Sequence, residues 1–330
     1  MDAEDLHHAG RRRIIGRNKM SEPIMIRMGG YGPPTTTFSR ALSAVGDKLK
    51  AELGDRVDVK YVWNIMDLGY RGEEILWLVE SGMLTLGYQS TSYLTDRIPA
   101  LGFADLPFLF RTNDEARAAM DGALGAALTR EIEANADYRI LGYFENGFRQ
   151  ISNRLQPVRR PADLGGMRIR VLPSDVQVRT FELLGAEPLK WDLSEAIAAV
   201  KAGTIDAQEN PFANTVTYGV HRFHHFHTVS NHFYLSRPIF LHRPSFDAWP
   251  EDVQEAMRNA VADAVAMQRD MAVAEEEAAR RAILDAGCEI ITLSPEEHEA
   301  FAVAVEPVIA GFRRRFGEQM FEMVSHEPAG

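Results

Sequence analysis

The first ninety residues alternate between strand-like and helix-like patterns, and this alternation restricts the possible folds more than any other feature of the sequence. Residues 24–28 and 84–88 are short apolar runs, and residues 57–61 alternate apolar and polar side chains, which predicts three strands. Between them, apolar residues at helical spacing predict one helix that begins near residue 36 and another over residues 71–81. This order is typical of a parallel sheet covered by helices, so the predicted fold class is α/β.

A second series of the same kind follows. Strands are predicted over residues 139–144, 167–172 and 205–207, and helices begin near Ser174 and Ser194. The length of 330 residues fits this duplication, because it is about twice a common domain. Ligands of such sheets bind where loops leave the carboxyl ends of the strands.

The overall charge excludes several classes of partner. The chain has 36 basic and 47 acidic residues and a formal net charge of −11, which argues against nucleic acid or an anionic membrane surface. No apolar stretch approaches the roughly 18–20 residues that cross a bilayer, so the protein is predicted not to be membrane-integral. The single cysteine, Cys288, excludes an intrachain disulfide and is interpreted as a buried structural thiol.

The amino terminus, residues 1–23, is predicted to be a flexible tail. It contains Arg11, Arg12, Arg13 and Arg17, but no apolar core of the roughly 7–15 residues that a secretory signal needs. The arginines could instead be the remnant of an export leader or follow from a misassigned start. The chain is then either the mature form of an exported protein or a cytoplasmic protein.

A long segment without proline or glycine occupies residues 251–286. At 1.5 Å per residue, about 35 residues give a helix of roughly 50 Å, which is longer than one lobe needs. The segment is rich in alanine and poor in leucine, so its heptad pattern is weak for a coiled coil. We expect a helix that lies across both lobes.

Two motifs suggest ligands that their context does not favour. Gly29-Gly30-x-Gly32 lacks a following Gly-Lys-Ser/Thr, and Pro33 and Pro34 remove two backbone donors, so close approach of the backbone to a ligand is favoured over phosphate binding.

The histidines at 221, 224, 225 and 227 include an adjacent pair that points to different sides of any regular element. We therefore interpret them as a solvated or lightly packed face, with a metal site as the alternative. The nucleophile and metalloprotease motifs of common hydrolases do not occur in the sequence.

Three polar residues at the ends of predicted second-lobe strands point to an anion site. Arg149, Arg170 and Asn210 follow or end these strands in a protein that is acidic overall. A guanidinium group matches a carboxylate with two parallel hydrogen bonds, and an amide can donate to the same oxygens. The alternative is that the arginines lie on the surface and pair with Glu145 and Asp175.

Three motifs, in order and at family spacing, resemble the DctP-type solute-binding proteins of TRAP (tripartite ATP-independent periplasmic) transporters. They are Asn-Gly-Phe-Arg-Gln-x-Ser-Asn-Arg at 146–154, Leu-Gly-Gly-Met-Arg-Ile-Arg-Val at 164–171 and Asp-Ala-Gln-Glu-Asn-Pro at 206–211. Shorter matches lie at 68–69, 80–82, 106–108 and 230–232, and the resemblance covers about residues 24–320.

The resemblance implies a two-lobed periplasmic-binding-protein-like fold with a long helix bridging both lobes. Lobe I is predicted over residues 24–147 with a return segment at about 233–250. Lobe II is predicted over residues 148–232 with a C-terminal part at about 271–330. The bridging helix is predicted over residues 250–286.

The resemblance also implies a binding site. In it Arg170 clamps the ligand carboxylate, Asn210 supports the clamp, Arg149 lies alongside, and Gln89 supplies a polar contact from the first lobe. Leu193 and Phe212 shape the apolar wall. Tyr31 and Trp63, on loops of the first lobe, complete the predicted site. Asn64 and Asp67 depart from the family pattern near these loops.

The function implied is capture of a small carboxylate-bearing organic acid by hinge closure, for delivery to TRAP membrane subunits. The implied location is the periplasm, and no reaction, cofactor or metal is expected. The alternatives are a cytoplasmic organic-acid sensor or scavenger with the same fold and, from a different class, an enzyme on this scaffold. Neighbouring genes for two membrane subunits would separate transport from sensing. Incubation with candidate acids and a search for product would test catalysis. The sequence leaves open which acid binds, whether the protein forms oligomers and whether a metal accompanies the ligand.

Overall fold

The computed structural model describes residues 22–324, and the predicted tail over residues 1–23 lies outside this range except for its last two residues. The strands in the described part of the chain are β1 (Ile24–Gly29), β2 (Val57–Val62), β3 (Leu86–Tyr88), β4 (Tyr138–Phe148), β5 (Gln150–Asn153), β6 (Arg168–Val171), β7 (Glu187–Lys190), β8 (Ala207–Asn210), β9 (Phe226–Val229), β10 (Tyr234–His242) and β11 (Glu289–Thr292).

The α-helices of residues 22–324 range from four to 35 residues in length. They are α1 (Thr37–Leu53), α2 (Glu74–Glu80), α3 (Asn113–Asp121), α4 (Ala123–Asn135), α5 (Asp175–Leu183), α6 (Leu193–Ala202), α7 (Phe212–Thr217), α8 (Arg243–Asp247), α9 (Glu251–Asp285), α10 (Pro295–Phe316) and α11 (Gln319–Glu322). Short 3₁₀ helices lie at Gly54–Arg56, Ile65–Leu68, Thr91–Leu94, Pro99–Asp105, Pro161–Leu164 and Val220–Arg222.

The first sheet has the strand order β2-β1-β3-β10-β4. β1 runs parallel to β2 and β3, as the alternation of strands and helices predicts, whereas β10 runs antiparallel to both β3 and β4. Thr36 caps α1 by accepting a hydrogen bond from the backbone N–H of Ser39 at 3.2 Å, which fixes the helix start predicted from the sequence.

The second sheet has the order β11-β9-β5-β8-β6-β7. β6 is parallel to β7 and β8, and β5 is antiparallel to β8 and β9. One local prediction is wrong here, since the strand predicted over residues 205–207 lies instead at Ala207–Asn210. The helix predicted to begin near Ser194 begins at Leu193, where the Asp192 carboxylate caps it by accepting from the Ser194 N–H.

The chain passes directly from one sheet to the other between β4 and β5, with Arg149 as the only intervening residue. Gly147 has a φ of +86°, a conformation that glycine adopts without steric cost, so the turn into the second sheet favours glycine at this position. The return from β9 to β10 lies beside it, since the N–H of Arg149 donates to the carbonyl of Phe233 at 2.8 Å.

The long helix α9 contacts elements of both sheets, as predicted. Its first half packs buried residues such as Val261 into the core, and Gln268 bonds both the N–H and the carbonyl of Glu145 on β4. Its last turns bury Ala279 and Ile283 against Phe212 beside the second sheet. The two-lobed α/β fold with a bridging helix is therefore confirmed.

The exact lobe boundaries at residues 147 and 232 remain a prediction, because membership of a sheet does not by itself define a body that moves as a unit. None of the helices in residues 22–324 is long and apolar enough to cross a bilayer.

Candidate ligand-binding site

A cavity lies between the two sheets, at the carboxyl ends of β1, β3 and β6, and leaves about 300 Å³ of empty space. From the first sheet and its loops come Tyr31, Gln89, Ser90, Tyr93, Asn146 and Arg237. From the second sheet and its helices come Arg149, Arg170, Leu172, Leu193, Asn210 and Asn214. The cavity lies where open α/β sheets bind their ligands.

The register of three neighbouring strands brings the predicted polar residues together. Arg170 on β6 is paired with Gln208 on β8, and Asn210 lies two residues further along β8, on the same face of the strand as Gln208. Asn210 is in turn opposite Gln150 on β5, next to Arg149. The sheet therefore assembles Arg149, Arg170 and Asn210 at one edge of the cavity.

Arg170 is a buried guanidinium without a carboxylate partner among the described residues. Its side chain is 1% exposed. Nε donates to the carbonyl of Trp191 at 2.9 Å, and Nη2 donates to the hydroxyl of Tyr93 at 3.1 Å. Both partners are neutral, so the positive charge of Arg170 remains uncompensated by direct contact at the wall of the cavity.

Arg149 differs from Arg170 because it has its own counterion. The Arg149 guanidinium forms an ion pair with the fully buried Glu209, through Nε to Oε2 and through Nη2 to Oε1 at 2.7 Å. Burial alone would raise the pKa of Glu209, but Arg149 and His232 outweigh this effect and hold the pKa below its usual range. The alternative pairing is wrong, since Glu145 binds Arg117 and Asp175 binds Lys190.

Amide side chains connect the remaining polar wall. Asn210 donates to Gln208 Oε1 at 3.0 Å and accepts from Asn214 at 3.3 Å, and Asn214 also donates to Asn146 at 3.2 Å. Gln89 is fully engaged within the first lobe. It donates to the carbonyl of Gly72 and accepts from the hydroxyl of Tyr31 at 3.0 Å, so it positions Tyr31 at the cavity.

Two residues of the predicted site lie elsewhere. Phe212 is buried against Ala279 and Ile283 of α9, and Trp63 stacks on Tyr61 with ring centroids 4.3 Å apart. Neither side chain lines the cavity. Tyr31 and Leu193 do line it, as predicted.

A wider depression of about 660 Å³ adjoins the cavity and shares Asn146 and Asn214 with it. Its wall carries the carboxylates Glu145, Glu275 and Glu276. Acidic walls repel an anion, so the smaller cavity with its uncompensated arginine is the better candidate for the anion site.

Comparison with known proteins identifies the family. The family model for DctP, described as bacterial extracellular solute-binding protein, family 7, matches residues 28–315. The chain belongs to this family. This confirms the relationship predicted from the motifs, and the family consists of binding proteins that act outside the cytoplasm.

Individual members of family 7 are similar over nearly the whole chain. The C4-dicarboxylate-binding periplasmic protein DctP of Rhodobacter capsulatus is 27% identical over 92% of this chain and 91% of its own length. A sugar acid binding protein of Advenella mimigardefordensis, solved with galactonate, has a TM-score of 0.87 and 27% identity over 92% of this chain and 97% of that structure. A TRAP periplasmic solute-binding protein of Sulfurospirillum deleyianum with bound succinate has a TM-score of 0.86 and 25% identity over 92% and 99%.

The histidine-rich segment of this family 7 protein is not the solvated face that we expected. His224 and His227 are buried, whereas the adjacent His225 is exposed. Both buried imidazoles form hydrogen bonds inside the protein, His224 with the hydroxyl of Ser152 at 3.0 Å and His227 with the carbonyl of His224 at 3.0 Å. Within residues 22–324 no group of three or more histidine, cysteine or acidic side chains is arranged to hold a metal ion.

The glycine-rich stretch at the end of β1 packs closely against neighbouring side chains, and the approach of its backbone to a ligand stays a prediction. A Cβ on Gly29 would lie 2.4 Å from a methyl carbon of Leu84, and one on Gly30 would lie 2.8 Å from the hydroxyl oxygen of Tyr88. These glycines allow the first turn to fit over β3.

Sequence reasoning missed Arg237 and gave Tyr93 no specific role. Arg237 is an internal residue of β10, and the only sequence signal is a charged residue beside Pro238 in a strand whose other residues are mostly apolar. Tyr93 follows the polar loop after β3, and burial raises its pKa to about 12, so it remains a neutral hydrogen-bonding group beside Arg170.

Proposed function

We propose that this family 7 protein captures a small organic acid by its carboxylate and delivers it to the membrane subunits of a TRAP transporter. One observation carries the proposal. Arg170 is almost completely buried at a cavity between the lobes, and no carboxylate of residues 22–324 lies within ion-pair distance of it. A buried charge without a counterion is costly, and a ligand carboxylate removes that cost.

The surroundings of Arg170 suit a carboxylate. The bonds to Trp191 and Tyr93 hold the guanidinium plane in place and leave Nη1 without a partner among the described residues. Asn210 lies near the same edge of the sheet and can donate an amide hydrogen. Arg149 keeps its charge balanced by Glu209, so its role is to shape the site and not to bind the acid as the principal cation.

The ligands of relatives support this class of compound. Galactonate and succinate, which occupy two of the similar structures, both carry a carboxylate, and the name of the Rhodobacter protein specifies C4-dicarboxylates. Membership of an extracellular solute-binding family supports action outside the cytoplasm and binding without catalysis. The predicted lobes, residues 24–147 and 148–232, close around the acid.

The test combines a ligand screen with a matched pair of variants. Thermal shift against organic acids, including succinate and galactonate, identifies an acid that binds. Titration calorimetry then compares that acid with its primary amide. We expect the acid to bind at least 100-fold more tightly, because neutralising the ligand leaves Arg170 buried and unpaired.

Arg170→Lys retains the charge but loses the planar fork, so affinity should fall at least tenfold. The control is Arg168→Lys on the same strand, whose exposed side chain pairs with Asp206 at 3.2 Å and lies outside the cavity. Equal affinity for acid and amide, or wild-type affinity in a folded Arg170→Lys protein, would overturn the proposal.

A further inference from the structure

A second buried guanidinium in the same cavity has no assigned role. Arg237 on β10 is 6% exposed, and its guanidinium carbon lies 4.5 Å from the ring centroid of Phe38 and 5.1 Å from that of Tyr31. Its Nε is buried without a hydrogen-bond partner. No carboxylate within residues 22–324 forms an ion pair with Arg237, and its side chain donates no hydrogen bond to a described residue.

The aromatic rings stabilise the Arg237 guanidinium but do not replace a counterion. A cation over an aromatic face is attracted by the ring, but the ring accepts no conventional hydrogen bond and carries no net charge to compensate the guanidinium. Glu275, which acts electrostatically on Tyr88 as Arg237 does, accepts from the Thr37 hydroxyl at 2.8 Å and forms no ion pair with Arg237. Arg237 is therefore a fixed, desolvated cation that lacks an anion.

Arg237 and Arg170 face one cavity from opposite sheets. Arg237 belongs to the first sheet and Arg170 to the second, and both line the 300 Å³ space. Arg149, the third guanidinium of the cavity, is neutralised by Glu209. Asp192 interacts electrostatically with Arg170, but its oxygens accept from the N–H groups of Gly72 and Glu73 and form no ion pair with Arg170. Two cations of the cavity thus remain without a contacting anion.

We infer that Arg237 forms a second anion subsite, so that the ligand is a small acid with two anionic groups, one bound at Arg170 and the other at Arg237. This inference rests on the proposed function and specifies its ligand class. Both guanidinium groups line one small cavity, so the compounds to test are short diacids and sugar diacids. Because such a ligand contacts both sheets, the second anionic group also favours the closed arrangement.

The test uses ligand pairs that differ in one anionic group. Succinate is compared with succinamate, in which one carboxylate is an amide, and galactarate is compared with galactonate, in which one carboxylate is a primary alcohol. We expect wild-type protein to bind the doubly charged member of at least one pair at least 50-fold more tightly by calorimetry. Because this comparison uses wild-type protein, it does not depend on the folding of any variant.

Variants then assign the preference to Arg237. Arg237→Gln should reduce the preference for the doubly charged acid to less than fivefold and leave the weak affinity for the singly charged acid within threefold of wild type. Lys60→Gln removes one charge from an exposed position of the same sheet and should leave the preference unchanged. Arg170→Lys should weaken both members of the pair.

The outcomes separate the two proposals. If wild type binds singly and doubly charged acids equally, or if a folded Arg237→Gln protein keeps the full preference, the second subsite is wrong while the carboxylate site at Arg170 stands. If Arg170→Lys leaves binding of every acid unchanged, or no acid binds, the proposed function fails and the second subsite fails with it.

Discussion

At the scale of single residues, the three arginines of the cavity differ in their partners. Arg170 and Arg237 have no carboxylate partner among residues 22–324, whereas Arg149 forms an ion pair. The difference lies in Glu209, which is adjacent to Asn210 on β8 and compensates Arg149. A sequence motif can indicate which arginines share a sheet edge, but it cannot indicate which of them meets a carboxylate from another strand. This is why Arg149 was predicted as a ligand contact and the structure gives it a counterion.

Asp105 provides a residue-scale prediction about stability. It is fully buried, accepts from the Ser92 hydroxyl at 2.6 Å and from Gln177 at 3.2 Å, and burial raises its pKa to about 6. The carboxyl is thus more easily protonated in the folded than in the unfolded state. Its stabilising contribution is complete below about pH 4 and is lost as the pH rises through about 6.

Asp105→Asn removes this titration and retains an oxygen that can accept both hydrogen bonds. The free energy of unfolding of the variant, relative to wild type, should therefore increase by about 3 kcal/mol between pH 4 and pH 7, since two pKa units correspond to about that amount. Urea unfolding of both proteins at four pH values measures the difference. A difference that stays constant across this range would contradict the assignment to Asp105.

At the scale of elements, the βαβ pattern of the first lobe was predictable because local periodicity reflects burial directly. β1, β2, α1 and α5 begin within one residue of their predicted positions. The strand β8 was predicted to end at residue 207, because Gln208, Glu209 and Asn210 are polar yet buried, each held by a side-chain partner from elsewhere in the chain. Polar residues in a central strand give no local signal of burial.

In the histidine-rich segment, too, no local signal in the sequence indicates that polar side chains are buried, and the burial of His224 leads to a prediction. Burial lowers the pKa of His224 to about 3, so the folded protein keeps this imidazole neutral while the unfolded chain protonates it near its ordinary pKa of about 6.5. Its stabilising contribution is present above about pH 6.5 and is lost as the pH falls.

Replacing His224 by Gln should remove part of the acid destabilisation. Between pH 6.5 and pH 5 the variant should lose about 2 kcal/mol less unfolding free energy than wild type. His225→Gln, at the adjacent exposed position, is the matched control and should follow the wild-type slope. Both variants should bind the acid normally at neutral pH. Equal slopes for His224→Gln and wild type, or loss of binding by a folded variant, would count against this interpretation.

At the scale of the whole molecule, the two-lobed plan was predictable from repeated α/β patterns, whereas the return segment at about 233–250, which contains β10, came only from the family resemblance. β10 inserts between β3 and β4 of the first sheet although 85 residues, 149–233, separate it from β4. Such long-range pairing leaves no trace in local periodicity, so Arg237 on β10 could not be assigned to the cavity from its sequence neighbours. The family resemblance supplied the overall plan and the position of Arg170, and it did not supply Arg237.

The two lobes also meet directly beside the cavity. The Asp192 carboxylate, which caps α6 of the second lobe, accepts from the N–H groups of Gly72 at 3.2 Å and Glu73 at 3.0 Å in the first lobe. Burial opposes ionisation of Asp192, but hydrogen bonds from Ser194 and Leu193 and the charge of Arg170 outweigh this and lower its pKa. The contact therefore carries a full negative charge at neutral pH. Under the proposed hinge closure, this contact forms when the lobes close and breaks when they open.

Closure by ligand should consequently be visible at these two amides. We expect hydrogen exchange at Gly72 and Glu73 to slow when the best acid from the screen is added, because ligand raises the population of the closed state in which both N–H groups are bonded. The N–H of Gly30, which donates to Val62 within the first lobe, should be equally protected with and without ligand. Asp192→Ala should reduce the ligand-dependent protection, whereas Ser194→Ala, which removes only a bond within the α6 cap, should retain it. If a saturating ligand leaves exchange at Gly72 and Glu73 unchanged, the lobes do not close on binding through this contact.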